Sequence, residues 1–316
     1  MAGQNQTLVT EFLLIGFPGS SWMQLLTFIV FFSVHTLTIA ANMVIILIVR
    51  VDRRLCCTPM YIFLSHLAFL EIWYTTVTVP KMLFDMYTVR RAISFAGCFV
   101  QVYFFFALGL TEMFLLAAMA YDRYAAICHP LRYNSIMTCV LCRNLSHGSW
   151  LGGFITGLML LSPQSTLDFC GSLSINHFFC DIVALLKLSC SVIHPRDIVV
   201  FSLIWIIILH SLFLTLVSYS YIVRTIRRIP SATGRWKAVS TCASHLTVVL
   251  TFYGTVIFMY LRPICTYNFQ MDKVVSVFYA VVTPLLNPMV YTLRNMEFRN
   301  SFRKAWMRRH KFNQGY

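Results

Sequence analysis

Charge is scarce in this chain of 316 residues: only 11% are Asp, Glu, Lys or Arg, and the 11 acids are outnumbered by 25 Lys and Arg. A soluble globular domain carries about 25% charged residues, so a surface that faces water throughout is excluded. Glycine (13) and proline (10) are too few for a collagen-like or low-complexity chain. There is no internal repeat at solenoid or inverted-half spacing. No His-Glu-x-x-His, Gly-x-Ser-x-Gly or phosphate loop occurs, which argues against an enzyme. Residues 1–24 lack the basic stretch and small-residue cleavage site of a signal peptide, so the first apolar segment is expected to act as its own insertion signal.

Apolar surface is what the chain has in excess. Hydrophobic residues make up 58%, with 27 Phe and 15 Tyr, and the mean hydropathy is +0.71. Only a bilayer can cover that much. A spanning helix needs about 20 mostly apolar residues, and seven stretches qualify: Leu25–Val49, Pro59–Pro80, Cys98–Tyr121, Leu145–Leu161, Ile198–Ile222, Ala238–Leu261 and Val274–Leu293. The fourth is the weakest, because it contains Ser146, His147, Ser149 and four glycines; its Gly153-x-x-x-Gly157 spacing is the small-residue pattern that lets membrane helices approach closely. The expected fold class is an all-α membrane protein, a seven-transmembrane helix bundle forming one domain over 1–316. It divides into an N-terminal tail (1–24), the bundle (25–293) and a C-terminal segment (294–316). In that last segment Phe298, Phe302 and Trp306 recur at helical spacing among basic residues, the pattern of a short amphipathic helix lying on the inner leaflet.

The distribution of charge orients the bundle. Clusters such as Arg50/Arg53/Arg54, Arg224/Arg227/Arg228 and Arg299/Arg303/Lys304 fall on one set of loops, while most acids fall on the other. By the positive-inside rule the amino end is extracellular and the carboxyl end cytoplasmic, as expected of a multi-pass protein of the plasma membrane. The net charge of +14 then marks orientation and contact with membrane lipids, and no nucleic acid is needed to account for it. Asn5-Gln6-Thr7 is a glycosylation sequon on the outer side, making Asn5 the expected site.

Two acids lie inside the apolar stretches. A carboxylate there is costly unless paired, protonated or wetted. Glu71 follows Pro59, and Glu112 precedes Arg123, by nearly equal lengths, which puts both roughly 17 Å from the inner end at about 1.5 Å per residue. Asn42 and Asn287 can reach nearby depths. Two such carboxylates either share a proton or hold a cation through oxygen ligands, with sodium the expected ion. No other cofactor is called for. The outer segments hold Cys98, Cys170, Cys180 and Cys190, for which three pairings exist. A metal site at His177-x-x-Cys180 is disfavoured, because a disulfide consumes the thiol.

Four strings, read in order, resemble those of odorant receptors within the rhodopsin-like (class A) G-protein-coupled receptors. They are Pro59-Met60-Tyr61-Ile62-Phe63-Leu64-Ser65, Met119-Ala120-Tyr121-Asp122-Arg123-Tyr124-Ala125-Ala126-Ile127-Cys128-His129-Pro130, Lys237-Ala238-Val239-Ser240-Thr241-Cys242-Ala243-Ser244-His245-Leu246 and Pro284-Leu285-Leu286-Asn287-Pro288-Met289-Val290-Tyr291. Together they span nearly the whole chain. Val239, Ala125 and the Ala41-Asn42 pair depart from the family's usual Phe, Val and Gly-Asn, and Phe252-Tyr253-Gly254 stands where most other rhodopsin-like receptors carry a Trp motif, which favours the odorant branch.

The resemblance implies disulfides Cys98–Cys180 and Cys170–Cys190, and sodium at Glu71 and Glu112. It implies an odorant cavity lined by Phe105, Phe106, Gly109, Leu110 and Met113 of the third span, Leu203, Ile204 and Ile207 of the fifth, and Tyr253, Val256, Ile257 and Tyr260 of the sixth. By spacing alone these faces are ordinary bundle packing. Lacking charge, such a cavity selects small, neutral, mostly hydrophobic volatile molecules, with Tyr253 and Tyr260 offering hydrogen bonds. The implied activation switch comprises Asp122, Arg123, Tyr219, Asn287, Pro288 and Tyr291. The implied partner is a heterotrimeric G protein of the stimulatory, olfactory type that raises cyclic AMP. A chemosensory role outside the nose fits the same residues. A transporter, the rival class, would show broken helices, repeats or a charged path across the membrane, and none is found.

Overall fold

The computed structural model describes residues 9–161, 167–170, 172–190, 195–260, 269–293 and 298–303. Long helices run over Ser21–Val51, Pro59–Tyr87, Phe95–Cys128, Cys139–Leu161, Pro195–Arg228 and Ala232–Tyr260, and a seventh is assembled from Phe269–Val277, a π-helical turn at Phe278–Val282 and Thr283–Leu293. Six of the seven have segments long and apolar enough to cross a membrane; Cys139–Leu161, the weakest by sequence, is outside that set. Each helix overruns the limit that hydropathy sets, because polar end residues continue the helix once caps are available. Ser20 Oγ accepts from Met23 N at 3.4 Å and Ser94 Oγ from Gly97 N at 3.1 Å, while Pro59 takes the first helical position, where a missing N–H costs nothing.

The third helix is the hub, packed on the second, fourth and fifth. The fourth reaches it through its glycines. A Cβ on Gly153 would stand 2.1 Å from Thr111 Oγ1 and 2.7 Å from the Ala107 carbonyl oxygen, and one on Gly157 would stand 2.9 Å from Ala107 Cβ. Backbone lies against backbone there, so the helix with the least apolar sequence is held by close packing. Gly153→Leu should therefore cost at least about 1–3 kcal/mol through overpacking and remove the protein from the cell surface. Gly148→Leu, on the same helix with nothing within 4 Å of its Cβ position, should be expressed normally; surface immunolabelling distinguishes the two.

The seventh helix is shaped by its prolines. Pro288 has no N–H to give the Pro284 carbonyl four residues back, and Asn42 Nδ2 of the first helix donates to that oxygen instead, at 3.3 Å, alongside the Thr38 oxygen at 2.9 Å.

One face of the bundle carries both disulfides, Cys98–Cys180 and Cys170–Cys190. A three-stranded sheet covers it. β1 (Glu11–Leu14) is central, antiparallel to β2 (Ala92–Ser94) and parallel to β3 (Ser174–Ile175). The segment expected to be a tail is thus built into the domain over these residues, with Phe12 and Leu14 buried. Lys273 pins it to the seventh helix by donating Nζ to the Gly16 oxygen and to Asn176 Oδ1, both at 2.7 Å. Gly16 turns the chain at a φ of 63°, where a side chain is disfavoured. At the opposite end, residues 298–303 are helical, Phe298 is buried, and Ser301 Oγ donates to Asp52 Oδ2 at 2.8 Å. Trp306 and Asn5 lie outside the described residues.

Candidate functional site

Below the disulfide face, the bundle holds a narrow apolar cavity. Its walls are Tyr74, Phe105, Phe106, Gly109, Leu110, Met113, Leu160, Ile204, Ile208, Phe252, Val256, Tyr260 and Tyr279. Eight of the twelve residues assigned from the sequence meet there. The helical period accounts for most of the others. On the fifth helix the facing pair is Ile204 and Ile208; Leu203 is 42% exposed on the outside of the bundle, and Ile207 packs beside the core without reaching the cavity. On the sixth, the facing row is Phe252, Val256 and Tyr260, which leaves Ile257 to one side.

Tyr253 is turned away too. Its hydroxyl meets Ser211 Oγ at 2.6 Å, and Ser211 in turn donates to the Met113 oxygen at 3.2 Å, so Tyr253 is the donor in a strut joining the sixth, fifth and third helices. Tyr74 and Tyr279 were not assigned from the sequence: the aromatics of the second helix, the outward-facing Phe69 and Trp73 among them, do not single out Tyr74, and the π-helical turn shifts the facing of the seventh by one position relative to a regular helix. Phe105 organises this wall, with ring centroids 4.9 Å from Tyr74, 4.8 Å from Phe179 and 5.6 Å from Tyr279.

The disulfide Cys98–Cys180 sets the roof. Gln101 reinforces it: its Nε2 donates to the Val77 oxygen and its Oε1 accepts from Cys180 N, each at 2.9 Å. The next residue, Asp181, is fully buried, accepts from Val183 N at 2.8 Å, and accepts the Tyr260 hydroxyl on Oδ2 at 3.1 Å. A charged group thus stands one bond behind the cavity wall, although none was expected near it. Burial raises the Asp181 carboxyl to about 6, against these hydrogen bonds, which lower it. His177, also buried, is lowered to about 3 by burial and by the Lys273 ammonium. A carboxyl raised in the fold contributes stability below its unfolded value near 4 and loses it as pH climbs through 6. Asp181→Asn should abolish this dependence: between pH 4 and 7 the wild type should lose roughly 2–3 kcal/mol relative to the variant, seen as a falling difference in thermal midpoint.

Midway down the bundle, Glu71 and Glu112 are 1% and 2% exposed. Asn287 Nδ2 donates to Glu71 Oε1, whereas Glu71 Oε2 and Glu112 Oε1 have no hydrogen-bond partner among the described residues. Those two orphaned oxygens suit a proton or a small hard cation, so the donor set fits sodium. No cluster of three or more His, Cys, Asp or Glu able to hold a metal occurs among the described residues.

At the far end Arg123 is 7% exposed, and its Nη2 pairs with Asp122 Oδ2 at 3.0 Å. Tyr133 donates to the other oxygen, Asp122 Oδ1, at 2.6 Å; burial beside that carboxylate pushes the phenol up. Tyr219 is bonded to His245 Nδ1 at 2.8 Å, while His245 Nε2 meets the Leu116 oxygen at 3.2 Å. His245 thereby joins the fifth and sixth helices to the third, a role that a single histidine in an apolar stretch does not signal. Pro288 lies within the seventh helix. The Tyr291 side chain lies outside the described residues.

A seven-helix membrane bundle with an apolar cavity under one face and a buried Asp–Arg pair at the other is the architecture of a G-protein-coupled receptor. The family model for the olfactory receptor matches residues 31–309. Human olfactory receptor 6B1 is 51% identical over 301 residues, covering 95% of this chain and 96% of the relative. Human olfactory receptor 6F1 is 49% identical over 302 residues (96% and 98%), as is mouse olfactory receptor 6B9 (96% and 95%). The chain belongs to the olfactory receptor family, whose members are receptors and not enzymes.

Proposed function

We propose that this receptor binds small, neutral, mostly hydrophobic volatile molecules in the cavity under the disulfide face and activates a stimulatory, olfactory-type G protein to raise cyclic AMP. One observation carries the reading. The cavity wall is aromatic and aliphatic, with tyrosine hydroxyls as its polar groups and no charged side chain of its own. An amine would have to break the Tyr260–Asp181 bond to find a countercharge, and a carboxylate would find none there. The disulfide face is extracellular, in keeping with cysteines that are oxidised there and basic loops at the other end, and the receptor works in the plasma membrane. The test is the cyclic-AMP response of cells expressing the chain to a broad volatile panel. Tyr260→Phe, which removes the hydroxyl shared between cavity and roof, should reorder the potencies of alcohol and carbonyl odorants; an unchanged ranking counts against the assignment.

Ligand binding acts by favouring one of two bundle arrangements. In the reading offered here the Asp122–Arg123 pair holds the cytoplasmic ends together, Tyr219 and Tyr291 are the partners awaiting the freed arginine, and the seventh helix bends at Pro288. Asn287 links that helix to the acids. Glu71 and Glu112 would hold sodium in the resting arrangement, supplying a countercharge to both carboxylates. Glu112→Gln should then remove the sodium dependence of the agonist response in purified receptor.

A further inference from the structure

The receptor reading leaves a group of thiols unused on the face that carries Arg123. Cys56 and Cys57, just before the second helix, are exposed, with sulfurs 3.8 Å apart. Cys139 opens the fourth helix, ahead of its apolar part, and is half-buried. Cys57 neighbours Cys139 closely enough for the two thiols to influence each other's ionisation, and Arg143, one turn along, directs Nη2 at the Cys139 sulfur from 3.0 Å. The two partners leave the cysteines unlike each other. Arg143 favours Cys139 as thiolate, the nucleophilic form, and Cys57, beside that charge, is held as the thiol.

We infer that Cys139 and Cys57 form a peroxide-responsive redox site that reversibly staples the loop before the second helix to the start of the fourth. The Cys139 thiolate attacks a hydroperoxide oxygen: an S–O bond forms, the O–O bond breaks, and the leaving oxygen departs as water, or as the corresponding alcohol, after taking a proton. The Cys139 sulfenic acid is then attacked by the Cys57 sulfur, forming S–S, breaking S–O and releasing a second water. Two thiols are oxidised and one peroxide reduced. A low-pKa, accessible thiol beside a resolving cysteine is the arrangement that redox sensing requires, and in the reducing cytosol such a bond is transient. That location rests on the orientation proposed above.

The experiment uses the full chain in membranes treated with hydrogen peroxide, alkylated, and digested for mass spectrometry. A peptide linking Cys57 to Cys139, reversed by dithiothreitol, is expected. Cys139→Ser should abolish it, Cys57→Ser should leave a sulfenic acid on Cys139 that dimedone traps, and Arg143→Gln should slow the reaction several-fold. Surface expression of each variant reports its folding. A bond between Cys56 and Cys57 in place of the expected one, or oxidation of Cys57 at an unchanged rate in Cys139→Ser, overturns the inference. An impermeant maleimide applied to intact cells separates the two ideas: labelling of Cys57 there would sink the orientation while the peroxide chemistry of the purified receptor stands or falls by itself.

Discussion

Arg123→Ala should abolish the cyclic-AMP response to every agonist while the protein still reaches the cell surface. Removing one partner of a buried ion pair typically costs about 3–5 kcal/mol, because the other charge is left uncompensated. Here the penalty is reduced, since Tyr133 still donates to Asp122 at 2.6 Å and a lone carboxyl can take up a proton. In the proposed switch signalling has no such fallback, because there the guanidinium is the group that has to change partners. Asp122→Asn supplies the contrast. It frees the arginine without removing it, and should raise cyclic AMP in the absence of odorant. Loss of response with full expression in the first variant and elevated basal activity in the second are the paired readouts; an Arg123→Ala receptor that still responds would sink the switch assignment.

Gly109→Leu should have the second largest effect. Gly109 lines the cavity, and a Cβ placed on it would meet only the Tyr74 ring, at 4.0 Å. The side chain therefore starts out without a clash at its Cβ and takes space that a ligand needs. Each methylene that clashes in a filled pocket is worth about 10- to 200-fold in discrimination, so the largest agonists should be lost and the smallest kept, at normal surface expression. Gly153→Leu makes the opposite case. Its neighbours at 2.1 and 2.7 Å belong to the third helix itself, and folding fails before any ligand is selected. A uniform loss of all agonists in Gly109→Leu would show that the residue supports the bundle and does not bound the cavity.

The helices were legible because a bilayer imposes a coarse requirement, a long apolar run, that survives any detail of packing. The third-helix face was legible for a related reason: Phe105, Phe106, Gly109, Leu110 and Met113 sit on one regular helix, so spacing alone determines which side they share. The fifth helix shows the limit. It is apolar all round, and a row at Leu203 and Ile207 cannot be told from one at Ile204 and Ile208 without knowing which neighbour lies opposite. Tyr279 was hidden by a π-helical turn, a backbone irregularity that residue spacing does not announce. Asp181 was hidden differently. It lies in a connecting segment, and only the fold carries that segment down over the cavity.

The sheet on the disulfide face has a kinetic consequence. Its central strand, Glu11–Leu14, joins residues 92–94 on one edge and 174–175 on the other, so the earliest part of the chain to emerge completes its pairing only after more than half of the remainder has been laid down. Such distant partnerships slow assembly. The first helix must therefore wait in the lipid with its leading segment undocked, and that interval, when Phe12 and Leu14 are uncovered, is when a quality-control machinery has something to grip.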